Sequence, residues 1–306
     1  MQIEDRRFLV TGGSGFIGSH VVDQLLASGA EAVTVFDKRA RRENLAEALS
    51  TDRVHILEGD VMNPEELRDA LQEVHGIFHM AVLPIGACVE SPRTCLDVNV
   101  VGTFNVLEAA HEAGVEKIVY SSASSVYGDT DDTMDESHPL NARSMYGASK
   151  VAGEYFFRAF YDMHGLDYVT LRYMNVYGPR QEGGLVMSVL SRIRSGEAPA
   201  IAGDGSQSFD FIHVADVASA NVQAMASVVT DAAFNVGSGG EASVAEIVEL
   251  LLKLSGSTLR PELRPDQKVL MKRRVGSNDR AIRQLEWRPT YDLDRGLGEL
   301  VSRRSQ

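Results

Sequence analysis

Tyr146 and Lys150, in the run Tyr146-Gly-Ala-Ser-Lys150, are the residues of this chain best suited to moving a proton. On a helix, positions four apart lie one turn above each other on one face. A free phenol titrates near ~10 and is a poor base at neutral pH. An ammonium one turn away favours the phenolate, and a positively charged ligand beside it adds to the effect. The pair is therefore a candidate acceptor for the proton of a sugar or alcohol hydroxyl. The same spacing also fits an ordinary solvated helix face, so the elements around it must decide.

Those elements start near the N-terminus. The short apolar run Phe8-Leu-Val-Thr11 leads into Gly12-Gly-Ser-Gly15-Phe16-Ile17-Gly18, and Ser19 to Ser28 follows with apolar residues at Val21, Val22, Leu25 and Leu26 before Gly29. This reads as strand, glycine loop and helix, closed by a glycine stop. Glycines let the backbone turn and approach a diphosphate, whose charge the helix N-terminus then meets. The next strand, Ala32 to Phe36, ends at Asp37, 19 residues after Gly18, where an acid holds the ribose hydroxyls of a dinucleotide. A carboxylate there repels a 2′-phosphate, which favours NAD over NADP, although Lys38 and Arg39 follow directly.

A third strand, Val54 to Leu57, closes on Glu58-Gly-Asp60-Val61, and Asn63-Pro-Glu-Glu66 has the cap, proline and acids of a helix start. Asp60 either contacts adenine or fixes a turn. Gly76 to Ala81, Glu116 to Tyr120 and Tyr168 to Arg172 are the fourth, fifth and sixth strands, with an apolar helix from Asn99 to Ala113 between two of them. Alternating strands and helices predict an α/β fold with a doubly wound parallel sheet. Right-handed crossovers bring the carboxyl ends of strands one, four and five together. The glycine loop, the serines from Ser121 and Tyr146 then face one crevice.

The helix carrying Tyr146 and Lys150 is apolar on more than one side, at Val151, Tyr155, Phe156, Phe160 and Met163, as is the helix after Asn99. One sheet needs only one apolar stripe. The surplus predicts either a homodimer through residues 99–113 and 147–164 or burial beneath the C-terminal part. Beyond Pro179 the alternation weakens. Helices at 186–195, 214–227 and 244–254, a short strand at Phe209 to His213 and a seventh strand at Phe234 to Gly237 point to a smaller mixed α/β lobe. The expected division is a dinucleotide-binding domain at 1–177, with returning segments at about 206–237, and a substrate-binding lobe at 178–205 and 238–306.

Composition narrows the partners. The 306 residues hold 30 basic and 43 acidic side chains, a formal charge of −13 that disfavours nucleic acid and anionic membranes. The two cysteines, Cys88 and Cys95, make neither a disulfide framework nor a metal array and fit the reduced cytoplasm. No metal site is expected. The first residues run straight into a strand without the apolar stretch of a signal peptide, and no later run is long enough to span a bilayer.

Together these features resemble the extended short-chain dehydrogenase/reductase family, in particular its nucleotide-sugar epimerases and dehydratases, such as the UDP-glucose 4-epimerase-like enzymes. The resemblance covers nearly the whole chain. It rests on Thr11 to Gly18, Asp37, Gly59-Asp60-Val61, Asn99 with Gly102-Thr103, Ser121 to Gly128, Tyr146-x-x-x-Lys150, Leu171 to Pro179 and Trp287-Arg-Pro289. It implies a bound NAD held by Gly12, Gly15, Phe16, Ile17, Gly18, Asp37, Lys38, Asp60, Val61, Ala81, Asn99, Ser121, Tyr146, Lys150, Tyr173 and Val176. It also implies a nucleotide-sugar substrate whose O4 proton goes to Tyr146 while C4 is oxidised, with Asn175 near the phosphates. In an epimerase the 4-keto sugar turns over and is reduced on its other face, so NAD is regenerated in each turnover.

Three positions depart from the family pattern. The hydroxyl residue of relatives stands three before the Val of Val-Tyr-Gly, and that slot here is Ala123, flanked by Ser122 and Ser124. Either serine could supply the hydroxyl. Similar dehydratases carry an Asp-Glu pair directly after that residue, and related decarboxylases a Glu before Val-Tyr-Gly. Ser124 and Ser125 stand there instead, so elimination or C5 chemistry lacks its proton carrier. Where many relatives grip the diphosphate with an Arg, this chain has Phe209. Arg180, Lys272 and Arg274 are candidates to replace it, against the alternative of a solvated charged patch. The resulting expectation is an NAD-dependent 4-epimerase acting on a UDP-sugar. A dehydratase, decarboxylase or 4-ketoreductase of the same fold and a non-catalytic NAD-sensing protein are the alternatives.

Overall fold

A computed structural model of the chain describes residues 1–267 and 271–303. The apolar runs form one sheet of seven parallel strands: β1 (Arg7–Thr11), β2 (Ala32–Asp37), β3 (Val54–Glu58), β4 (Gly76–His79), β5 (Lys117–Ala123), β6 (Asp167–Tyr173) and β7 (Ala232–Val236). Their order is β7-β6-β5-β4-β1-β2-β3. The middle strands β4 and β5 are buried almost throughout, which is why they read as continuous apolar runs rather than alternating ones. Strand order reverses between β1 and β4, and the register sets Thr11 opposite both Phe36 and His79. The carboxyl ends of β1, β2, β4 and β5 therefore finish side by side, with a crevice outside them.

Two apolar layers cover the sheet. On one face pack α1 (Phe16–Ala27) and α8 (Val214–Ala226), through Val21, Leu25, Val217 and Ala224. On the other pack α2 (Pro64–Ala70), α5 (Gly102–Glu112) and α6 (Met145–His164), through Leu67, Val106, Leu107 and Phe157. The helix starts follow the sequence signals: Asn63 accepts from Glu65 N ahead of Pro64, and Ser144 accepts from Gly147 N at the head of α6. Gly165, at φ 70°, ends α6 in the left-handed region.

The outer surfaces of α5 and α6 are not covered by the C-terminal part: Phe104 is 38%, Tyr155 60% and Met163 73% exposed. Of the two explanations offered for the apolar surplus, burial beneath the C-terminal part is thus corrected.

A third core lies apart from the sheet. It joins α7 (Leu185–Arg194), α9 (Val244–Leu254) and α11 (Leu293–Ser302) with Tyr177 and Phe211. The segment around α10 (Asp279–Gln284) packs instead on the main core through Ala281, Leu285 and Trp287. The strand expected at Phe209 to His213 is broken at Asp210. Ser208–Phe209 pairs with Ala242–Ser243 and Arg273–Arg274, while Phe211–His213 pairs with Asn175–Tyr177. The break has a physical cause. Asp210 is fully buried, and its carboxylate accepts from Ser238 N, Ser238 Oγ and Gly239 N, which ties this segment to the loop after β7.

The cysteines also require a correction. Cys88, in α3 (Ile85–Glu90), and Cys95, in α4 (Pro92–Leu96), form a disulfide with Cα atoms 4.9 Å apart. Seven residues of separation and a helix break at Ser91 bring together two side chains that sequence spacing alone left unpaired. Among the described residues no helix is long and apolar enough to cross a membrane, and no cluster of three or more His, Cys, Asp or Glu could hold a metal ion.

Candidate active site

The glycine loop between β1 and α1 is shaped by close approach. Gly12 has φ 67°, and a Cβ there would sit 2.9 Å from Ala81 N. A Cβ on Gly18 would collide with the carbonyl of Gly12. Helix α1 starts after Gly15 without a side-chain cap, which leaves its first N–H groups directed at the crevice. At the end of β2, Asp37 Oδ2 accepts from Ser14 N at 3.2 Å and Ser14 Oγ at 2.6 Å. Oδ1 receives no hydrogen bond among the described residues and is free for a ribose diol. Lys38 ion-pairs with Asp60 at 2.6 Å, and Asp60 also accepts from Met62 N. Asp60 thus both holds its own turn and borders the crevice.

These groups line a cavity of about 870 Å³ that continues past Val61, Ala81 and Ser121 to Tyr146, Lys150 and Tyr173. Phe16, Ile17 and Arg180 also border it. Its size, its loop of close-packed glycines and its uncapped helix N-terminus fit a dinucleotide. The wall formed by Val82, Leu83, Pro84, Ile85, Thr94 and Val98 escaped the sequence reading. The one available signal was the apolar run continuing past the expected end of β4 into Pro84.

Asn99 shapes this wall from behind. Its Oδ1 accepts from Leu83 N at 2.7 Å, while Nδ2 donates to Leu83 O at 3.1 Å and Ser149 Oγ at 3.1 Å. Nδ2 also lies 3.5 Å from each sulfur of the disulfide. Asn99 therefore braces the wall and α6 rather than bordering the cavity. Val176 lies outside the cavity as well, in the short strand beside Ile212.

At the reactive end Tyr146 is half-buried and Lys150 fully buried. Lys150 Nζ donates to Ser121 O at 2.7 Å and lies 5.0 Å from the centre of the Tyr120 ring and 5.8 Å from that of Tyr146. Burial pushes the Lys150 ammonium down to about 7, opposed by the charge of Glu154. Burial pushes the Tyr146 phenol up to about 12, opposed by the charge of Arg274. The sequence expectation that Lys150 would lower the phenol is thus incomplete, because desolvation outweighs the neighbouring charges in the protein alone.

The serines divide. Ser121 Oγ hydrogen-bonds Tyr173 OH at 2.9 Å, and Tyr173 OH donates on to Asn221. Ser122 Oγ donates to Glu154 Oε1 at 2.5 Å, so its hydroxyl is spent on a buried carboxylate. Ser122 lines the cavity, while Ser124 is not among its lining residues. Ser124 opens a short 3-10 turn, is 4% exposed, and its Oγ makes no hydrogen bond among the described residues.

Several buried polar atoms lack partners among the described residues, Tyr120 OH and Ser125 Oγ included. Asn175 Nδ2 and Arg274 Nε are buried without a hydrogen bond. They sit on neighbouring segments, since Asn175 N donates to Asp210 O and Asp210 N donates to Arg274 O. Burial brings the Arg274 guanidinium down to about 10, opposed by the charges of Asp129 and Tyr146. Arg180 pairs with Asp23 at 2.7 Å, and Lys272 is exposed, contributing its carbonyl to Ser208 N. Of the three cations offered in place of Phe209, Arg180 borders the cavity, and Arg274 is the one whose charge acts on Tyr146.

Comparisons with known proteins show the family of the chain. Residues 8–237 match the NAD dependent epimerase/dehydratase family. The UDP-glucose 4-epimerase of Mycolicibacterium smegmatis is 37% identical over 305 residues, covering 96% of this chain and 97% of that one. The structure of a UDP-N-acetylglucosamine 4-epimerase from Methanobrevibacter ruminantium, in complex with UDP-N-acetylmuramic acid, superposes with a TM-score of 0.92 at 30% identity, covering 97% of each chain. That of the Thermus thermophilus UDP-glucose 4-epimerase with NAD gives 0.86 at 32%, covering 96% of this chain and 97% of that one.

Proposed function

Because the chain belongs to the NAD-dependent epimerase/dehydratase family, an extended short-chain dehydrogenase/reductase group of nucleotide-sugar enzymes, we propose that it inverts C4 of a UDP-sugar. The observation that carries this reading is the distribution of acids. The carboxylates bordering the crevice are Asp37, Asp60 and Glu182, and each is engaged, by Ser14, Lys38 and Arg41 respectively. The turn after β5, which packs against α6 at Gly147, carries Ser124 and Ser125 instead. Loss of water from the sugar, or chemistry at C5, needs an acid or base beyond C4. Inversion at C4 needs only one group that takes a proton from O4 and gives it back.

NAD, when bound, supplies the reversible oxidation of the C4 carbinol. The glycine loop, Asp37 and Lys150 would hold it, with Val61, Ala81 and Tyr173 along the wall. Tyr146 takes the O4 proton and returns it after the keto sugar has turned over. Ser124 donates a hydrogen bond to the same oxygen in place of the hydroxyl missing at Ala123. Asn175 and Arg274 bind the diphosphate, and the Arg274 charge also favours the Tyr146 phenolate. The wall braced by Asn99 and the lobe at 178–205 and 238–306 keep water from the keto intermediate.

Exposed Val101, Phe104, Tyr155 and Met163 support a homodimer through residues 99–113 and 147–164, and the proposed nucleotide-sugar substrate supports a cytoplasmic enzyme. The test is incubation with NAD and a panel of UDP-, dTDP-, GDP- and CDP-sugars, followed by proton NMR. Inversion at C4 with NAD regenerated supports the reading. A 4-keto-6-deoxy product, loss of carbon dioxide, or net consumption of NADH assigns an alternative of the same fold. NAD binding without turnover of any sugar leaves a sensor.

A further inference from the structure

We propose that Glu154 is a positioning residue for the Tyr146–Lys150 pair: its carboxylate, anchored by Arg172 and Ser122, holds Lys150 as an ammonium inside the protein. The proposal rests on the reading of Tyr146 as the proton acceptor. Tyr146, Lys150 and Glu154 follow one another at four-residue intervals along α6, so the three stand in a column on one face of the helix. Lys150 is 3% exposed and makes one hydrogen bond among the described residues, to the carbonyl of Ser121. One carbonyl and two aromatic rings, of Tyr120 and Tyr146, are poor compensation for removing an ammonium from water.

Among the described residues, Glu154 is the one whose negative charge acts on Lys150. Tyr120 stands beside it on β5, its hydroxyl held neutral by burial. His79 on β4 is kept neutral by burial and by the Lys150 charge. Tyr173 on β6 is neutral, and the positive charge of Arg274 acts on Tyr146. Of the charges around Lys150, that of Glu154 opposes the effect of burial.

Glu154 is fixed more firmly than a helix-surface acid. Arg172 Nε donates to both its oxygens, at 3.0 and 3.2 Å, and Nη2 to Oε2 at 2.6 Å. Ser122 Oγ donates to Oε1 at 2.5 Å. Arg172 is held in turn by Tyr127, whose hydroxyl accepts from Nη1 at 2.9 Å and whose ring lies 5.0 Å from the guanidinium carbon. Three donors, Arg172 Nε, Arg172 Nη2 and Ser122 Oγ, therefore keep the carboxylate from swinging away.

The experiment follows the ε-carbon of Lys150 by NMR in carbon-13 lysine-labelled protein without NAD or substrate, the signal being identified by its loss in Lys150→Arg. In Glu154→Gln the titration midpoint of Lys150 falls by about one pH unit or more. In Arg172→Met, which leaves the carboxylate with Ser122 but without its cation, it rises. Glu154→Asp keeps it nearer the parent than Gln does. A purely structural role would damage all three variants alike without moving the midpoint in opposite directions. In the active enzyme, Glu154→Gln narrows the bell-shaped pH profile: the alkaline limb falls with Lys150, and the acid limb rises because the phenolate has lost its ammonium.

Midpoints within 0.3 pH unit of the parent in folded Gln and Met variants overturn the proposal. If the Gln variant does not fold, the direction of the shift in Arg172→Met or Glu154→Asp decides. The NMR titration requires no substrate, so it stands even if C4 inversion proves to be the wrong reaction.

Discussion

Ser14 Oγ donates to Asp37 Oδ2 at 2.6 Å, joining the glycine loop to the end of the neighbouring strand. The bond orients the carboxylate and leaves Oδ1 for the ribose of the dinucleotide. Hydrogen bonds to a charged group are worth roughly 1.5–3 kcal/mol, so Asp37→Ala is expected to weaken NAD binding by about 10- to 100-fold. Ser14→Ala, which only loosens the carboxylate, costs less. Calorimetric titration of each variant with NAD checks the order, and an Ala at 37 that binds like the parent removes Asp37 from the cofactor site.

Tyr146→Phe removes the proton acceptor and nothing that the fold depends on, because the phenol is half-buried at the crevice. Its turnover is expected to fall by roughly 10²–10⁴-fold, with NAD affinity and thermal stability close to the parent. Single-turnover rates beside a melting curve separate the chemical loss from unfolding.

Arg274→Met tests the diphosphate assignment and the electrostatics together. The KM for the nucleotide-sugar is expected to rise about tenfold or more, as a charge-assisted contact is lost. The Arg274 charge opposes the rise of the Tyr146 phenol, so its removal raises that group further. The acid limb of the kcat profile then moves to higher pH. A change in KM with an unmoved limb would place Arg274 on the substrate but too far to influence Tyr146.

Buried histidines set the acid stability. Burial, with the Lys150 charge adding, holds His79 down to about 3, and its ring nitrogens lie 2.8 Å from Thr11 Oγ1 and 2.9 Å from Thr103 Oγ1. Its folded value lies below the ordinary one near 6.5. The unfolded chain therefore binds the extra proton first, and stability present above about pH 6.5 is lost as the pH falls towards 3. His213 and His20, held down to about 4 chiefly by burial, act in the same direction. Asp210, raised to about 6 by burial, acts oppositely, and its contribution is lost as pH rises through 6. Urea midpoints measured between pH 7 and 4 are expected to fall, with a shallower slope for His79→Gln. Equal slopes would show that His79 does not titrate on unfolding.

Much of this was legible in the sequence for identifiable reasons. The sheet strands carried apolar runs because both faces are covered, and the glycine loop, Asp37 and Tyr146-x-x-x-Lys150 are set by spacing along single elements. What spacing could not reveal depends on contacts distant in sequence. Ser122 and Ser124 differ by two positions, yet Ser122 meets Glu154 on α6 while Ser124 opens a turn. Asn99 looked like a cofactor contact but braces Leu83 and Ser149, and Cys88 meets Cys95 only because the chain bends between α3 and α4. Arg274 and Asn175 converge through the buried carboxylate segment at Asp210, a break that a run of strand-forming residues conceals.

The most direct measurement uses a UDP-sugar deuterated at C4, incubated with the NAD-loaded enzyme and followed by NMR. The expected product is the C4 epimer with the deuterium retained at C4, formed by the parent and absent with Tyr146→Phe. Deuterium found at another carbon or lost to water, or an equal yield from Tyr146→Phe, would contradict inversion at C4 by this pair.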